Sequence, residues 1–123
     1  MRRLEGPELV AYDVLDPDLA KQVRIFEVPV LPRGADGMTI GSWIFLKDDR
    51  DRTGDRALLA HELVHVRQYA ERGYLRFSFD YLRHYGAGLL RHRKSKQAYL
   101  DIPAEVEARA DADDWRRRRI PAR

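Results

Sequence analysis

The sequence predicts an α+β fold, and three observations carry that reading. Two segments of strand-like composition, Arg24 to Leu31 and Met38 to Leu46, flank a turn cluster, which suggests a small antiparallel sheet. A helix-period tract from Asp55 to Gly73 carries the pattern H-E-x-x-H at His61, Glu62 and His65. An alanine-rich acidic run begins at Pro103 and reads as a last, glutamate-bearing helix.

Composition sets the outer bounds. At 123 residues, 44% hydrophobic and 35% charged, the chain reads as one domain, 1–123, with a core over about 15–115 and a basic tail at 116–123. It has no cysteine, which excludes disulfides, thiol nucleophiles and any metal site built on thiolate. The N-terminal arginines have no apolar run behind them, and no segment approaches the ~20 apolar residues of a membrane span. The expectation is a cytoplasmic protein, or one exported by a dedicated apparatus without a signal peptide, and no membrane partner.

Taken in order, Asp16-Pro17-Asp18 reads as an N-cap followed by proline at the first helical position, opening a short helix to about Gln22. Pro29 pushes the next, extended segment toward a sheet edge. Pro32 to Gly37 is a turn cluster. Gly41, inside the second strand segment, allows a bulge or a close approach by another backbone, and in a peptidase this strand would be the edge along which substrate lies. Lys47 to Gly54 is a polar loop whose aspartates do not match a calcium loop.

The metal-binding tract follows. Asp55 is placed to cap the helix and Gly73 to stop it, while Leu58, Leu59, Leu63, Val64 and Val66 supply apolar anchors. At about 3.6 residues per turn, His61 and His65 project one turn apart from one face, so both imidazoles can hold one ion. Glu62 lies about 100° round the helix from His61, where it flanks the ion as a general base rather than a ligand. Gln68, three residues after His65, is placed either to support the site or to pack.

Beyond Gly73, the residues Leu75, Phe77, Phe79, Tyr81, Leu82 and Tyr85 predict a second helix over about 74–85, with its aromatic side chains in the core. Gly86-Ala87-Gly88 interrupts the pattern, and 89–100 reads as a basic loop or lid. The blocks Arg91-His92-Arg93-Lys94-Ser95-Lys96 and Arg116 to Arg119 read as solvated charge, since no recognition helix or aromatic RNA-binding motif accompanies them.

A catalytic zinc needs a third protein ligand, and the last helix offers Glu105 and Glu107 on nearly opposite faces. Glu107 is favoured because Asp111 follows one turn later and can accept the free N–H of a ligand histidine. The pattern His61-Glu62-Leu63-Val64-His65 with Glu107-Ala108-Arg109-Ala110-Asp111 resembles the gluzincins, the thermolysin-like zinc peptidases. The tract from Met38 to Tyr69 also resembles an uncharacterised bacterial H-E-x-x-H domain attached to toxins and contractile-injection effectors.

The gluzincin resemblance implies a minimal zincin-like domain, far shorter than thermolysin and without the subdomain that usually completes the cleft. It implies one Zn2+ per chain on His61, His65 and Glu107, with Glu62 activating the bound water to cut a peptide or protein substrate. It also implies a tyrosine and a histidine that stabilise the oxyanion. Tyr99 lies in a comparable place for the first, and His84 and His92 match the second by residue type alone. The rival reading is a non-catalytic, zinc-stabilised adaptor or effector module that binds a protein or nucleic acid through its arginine-rich segments.

Overall fold

The computed structural model of the chain describes the backbone of residues 1–92 and 95–119, and the side chains of all of these but Arg33, His92, Ser95, Lys96 and Arg119. The fold is α+β, mostly helical, with a small mixed sheet. Helices α1 (Gly6–Ala11) and α2 (Pro17–Gln22) precede β1 (Arg24–Glu27), and a 3-10 turn (Pro32–Gly34) leads to β2 (Gly37–Ile40) and β3 (Trp43–Leu46). Helices α3 (Ala57–Arg72), α4 (Tyr74–His92), α5 (Ser95–Leu100) and α6 (Pro103–Arg119) follow.

The sheet differs from the expected antiparallel pair of long strands. Gly41, at φ +62°, is no bulge: with Ser42 it makes a tight turn that splits the second segment into β2 and β3. Positive φ at the first central residue is what two-residue hairpin turns require, and glycine takes it without strain. The hairpin pairs antiparallel, with Thr39 opposite Ile44, while β1 runs parallel to β3, with Ile25 opposite Ile44. The order β1-β3-β2 leaves β2 at the edge, packed against α3.

Four helices and the sheet share one core, in which Ile25, Ile44 and Leu46 meet Leu59, Leu63 and Val64 of α3. Tyr12 and Trp115 close its far end: their rings stack with centroids 5.1 Å apart, and the Trp115 indole donates to the Ala11 carbonyl at 2.8 Å. Trp115→Ala is therefore expected to cost about 3–5 kcal/mol, since a large buried ring is lost and leaves a cavity. Urea denaturation checks this, and a loss under 1 kcal/mol would mean that the α6 end is dispensable to the core.

Helix α3 opens at Ala57, so the N-cap position falls on Arg56, without a side-chain cap bond, rather than on Asp55 as expected. The Arg56 N–H donates instead to the Tyr12 hydroxyl at 2.9 Å. A buried ionic cluster secures the approach to the helix: Arg2 binds both Glu8 and Asp49 at 2.6 Å, and Arg56 binds Asp49 at 2.8 Å. Gly73, at φ +82°, ends α3 as its sequence predicts.

The region after Gly73 is more helical than its composition suggests. Gly86-Ala87-Gly88 does not stop α4, which runs on to His92, and 95–100 form α5 rather than a loop. A Cβ on Gly88 would meet the Ala98 backbone at 3.0 Å, so this glycine serves the close approach of α5 to α4. The apolar residues of α4 divide between two faces. Phe77 is buried, with Tyr81 and Tyr85 packed around it, whereas Leu75, Phe79 and Leu82 are exposed rather than in the core. The last helix continues through the basic block to Arg119, and Arg118 pairs with Asp13 at 2.9 Å. Arg93, Lys94 and 120–123 lie outside the described residues.

Candidate metal centre

Helix α3 presents its motif toward α6. Leu59, Leu63, Val64 and Val66 are all but fully buried around the two histidines, so the helix cannot rotate without opening the core. The imidazoles of His61 and His65 lie 4.9 Å apart by ring centroid and nearly perpendicular, at 81°.

The carboxylate that meets them is that of Glu105. Its Oε2 lies 3.0 Å from His61 Nε2, and its Oε1 lies 2.8 Å from His65 Nε2. His61, His65 and Glu105 form a group able to hold a metal ion, with one ligand atom from each and all of these within 4.8 Å of one another. The donor set suits zinc. Ligands about 2.0–2.2 Å from a tetrahedral ion stand about 3.3–3.5 Å apart, so the observed contacts need open by only about half an ångström.

Glu107, the expected ligand, stands apart, and the reason lies in how α6 packs. The helix buries Ala104, Ala108, Ala112 and Trp115 along one face, and these small alanines bring its backbone close to α3. Glu105 lies about 65° from the centre of that face and points along the seam, while Glu107 lies about 95° away on the other side. The Glu107 carboxylate accepts from the Gln68 amide at 2.7 Å. Asp111 accepts no histidine N–H; it pairs with Arg67, which also donates to the Val14 carbonyl at 2.9 Å.

The role expected of Asp111 falls to Gln68, which is fully buried. Its Oε1 accepts from His65 Nδ1 at 2.7 Å, and its amide donates to the Ala104 carbonyl at 3.0 Å as well as to Glu107. That bond leaves His65 Nε2 for the centre and ties the ligand to the helix that brings Glu105. Its three-residue spacing from His65 is the sequence signal for this role, and Gln68 both supports the site and packs between the helices.

Glu62 is 4% exposed and aims toward β2. The Thr39 hydroxyl donates to its Oε1 at 2.9 Å. Gly37 makes room for it, since a Cβ there would meet Glu62 Cγ and Oε2 at 3.3 Å. Burial pushes the Glu62 carboxyl up, against the pull of both histidines and Thr39. Burial also acts on His65 and Glu105, but Glu105 holds the His65 imidazole above its usual value, and the bonds from His61 and His65 hold the Glu105 carboxylate well below its own.

Two tyrosines border the carboxylates. Tyr81 of α4 donates to Glu105 Oε1 at 3.1 Å. Tyr99 of α5 packs half-buried against Phe77, Ile102 and Ala104, and its hydroxyl is raised by burial and by the nearby charge of Glu105. The hydroxyl that meets Glu105 is therefore that of Tyr81, expected only as a core aromatic, while Tyr99 lies close enough to feel the charge of that carboxylate. His84 is half-buried on α4 and outside the ligand group, and the side chain of His92 lies outside the described residues.

Among the described residues, no helix is long and apolar enough to cross a membrane. No curated protein and no solved structure gives a significant match to the chain. Residues 32–73, from the 3-10 turn through the hairpin to the end of α3, match the family model described as the eCIS core domain. That stretch contains His61, Glu62 and His65 and stops short of Glu105, and the match relates it to the domains of contractile injection systems.

Proposed function

We propose that the chain is a minimal zincin-like, gluzincin-type metallopeptidase domain that hydrolyses peptide bonds at one zinc ion held by His61, His65 and Glu105. The observation that carries this reading is the convergence of Glu105 on both histidines of H-E-x-x-H, with Glu62 beside them and free of the ligand group. When bound, zinc supplies Lewis-acid polarisation of the substrate carbonyl and lowers the pKa of water from 15.7 to about 7.

The chain's own residues account for the rest. Glu62 takes a proton from the attacking water and returns it to the leaving amine, and Thr39 holds its carboxylate in position. A carboxylate whose pKa is raised by burial is the stronger base, which favours its taking the proton from water. Tyr99, placed near both Glu105 and Glu62, supplies a hydroxyl to the developing oxyanion. The edge strand β2 beside Glu62 offers an extended backbone along which substrate can lie. The test is hydrolysis of a diverse peptide library by zinc-loaded and zinc-free protein, and cleavage that ignores zinc sinks the reading.

One observation favours the rival, a zinc-stabilised module without catalysis. Glu62, His65 and Glu105 are each about 95% buried, as in a closed structural site. Retention of about one zinc per chain with no cleavage of any peptide would support it.

Zinc binding should depend on pH with a definite sign. His65 binds its proton more tightly folded than unfolded, so that contribution to stability is full below the ordinary value of 6.5 and is lost as pH rises through the raised folded value. Glu62, also raised, acts in the same direction from 4.5 upward. Zinc needs the deprotonated ligand, so its stabilisation should grow as the proton's fades. The zinc-induced rise in Tm is expected to be larger at about pH 8 than at about pH 6. Melting curves with and without zinc at both values check this, and equal shifts would contradict it.

A further inference from the structure

We propose that the outward face of α4 docks on an anionic lipid bilayer, with the helix lying flat in the headgroup region. Leu75, Phe79, Leu82 and Leu90 are 82%, 67%, 68% and 84% exposed. At about 100° per residue they fall within an arc of about 80°, a single stripe running about 22 Å along the helix. The core does not require them, because the opposite face already buries Phe77 and packs Tyr81 and Tyr85. A contiguous exposed apolar stripe of this length marks an interaction surface.

Charge identifies the occupant. Arg76, Arg83 and Arg91 are exposed along one flank of the stripe, and the only acidic residue of α4, Asp80, is half-buried and 3.6 Å from Arg83. Residues 72–96 contain five arginines and two lysines against that one aspartate, in a chain whose net charge is only +3, so the remainder is net acidic. A second copy would set these arginines against their own kind. A nucleic-acid backbone would pair with the arginines and leave the leucines and Phe79 in water. An anionic bilayer satisfies both sets: the apolar stripe enters the boundary between headgroups and acyl chains, and the arginines reach the lipid phosphates. The sequence alone led to the expectation of no membrane partner because it lacks a spanning segment, and a helix lying in the plane of the surface needs none.

The experiment is co-sedimentation of the full chain with vesicles of phosphatidylcholine alone, or of phosphatidylcholine with about 30% phosphatidylserine. Binding is expected to the anionic vesicles and to weaken with added salt. Phe79→Ser with Leu82→Ser should weaken it at least about tenfold while the Tm stays near that of the wild type. Arg76→Gln with Arg83→Gln should weaken it about 30-fold. If the first pair impairs folding, Leu75→Ser with Leu90→Ser tests the same stripe at its two ends. Failure of folded wild type to bind anionic vesicles overturns the proposal, and so does binding indifferent to the serine variants. So, too, does a dimer abolished by those variants in a protein that ignores vesicles, which would assign the face to a second copy.

Discussion

Glu62→Gln is expected to cut peptide hydrolysis by about 10²- to 10⁴-fold, the usual contribution of a positioned general base. Zinc content should stay near that of the wild type, because Glu62 is outside the ligand group. Glutamine has nearly the same shape and can still accept the Thr39 hydroxyl, so the contact between α3 and β2 survives. It cannot take a proton from water. The buried carboxylate is also costly to desolvate, so its replacement by a neutral amide should hold or slightly raise the Tm. The measurement is hydrolysis of a diverse peptide library by zinc-loaded wild type and variant at equal concentration. If both cleave equally fast, Glu62 is not the base and the mechanism fails. If the wild type does not cleave while both hold zinc, the non-catalytic module becomes the better account.

Removing the third ligand should have the other large effect. Glu105→Ala is expected to weaken zinc binding by more than about 100-fold, beyond the 10- to 100-fold that supporting residues typically contribute. Glu107→Ala should cost less than about tenfold, since Glu107 touches Gln68 and Arg67 rather than the histidines. Gln68→Met should fall between them, at about 10- to 100-fold, because it frees His65 Nδ1 from its partner without changing a ligand. Competition with a chromophoric chelator gives all three affinities, with circular dichroism as the check on folding. An order in which Glu107→Ala is the most damaging would restore the ligand that its spacing from Asp111 suggested.

His61, Glu62 and His65 were legible because their relation is local: one helix fixes the spacing of the imidazoles whatever surrounds it. The end of that helix at Gly73 was legible for the same reason. Glu105 was not, because two glutamates on one helix differ only in which side faces a neighbour. The informative pattern was the small-residue face of Ala104, Ala108 and Ala112, which shows where α6 lies against α3, rather than the distance from Glu107 to Asp111. Tyr81 was likewise indistinguishable from Phe77 as an aromatic on a helix until the packing of α4 set its hydroxyl against Glu105.

By itself, then, the sequence determined the α+β composition, the histidine pair on one helix face and the absence of any thiol chemistry, because each follows from residue type or from contacts within a turn or two. Tertiary structure alone decided the parallel pairing of β1 with β3, the contact of Glu105 rather than Glu107 with the two histidines, the bond from Gln68 to His65 and the outward turn of Leu75, Phe79 and Leu82. Each of these depends on which faces meet across long stretches of chain, and that is set by packing the whole core at once rather than by any local preference.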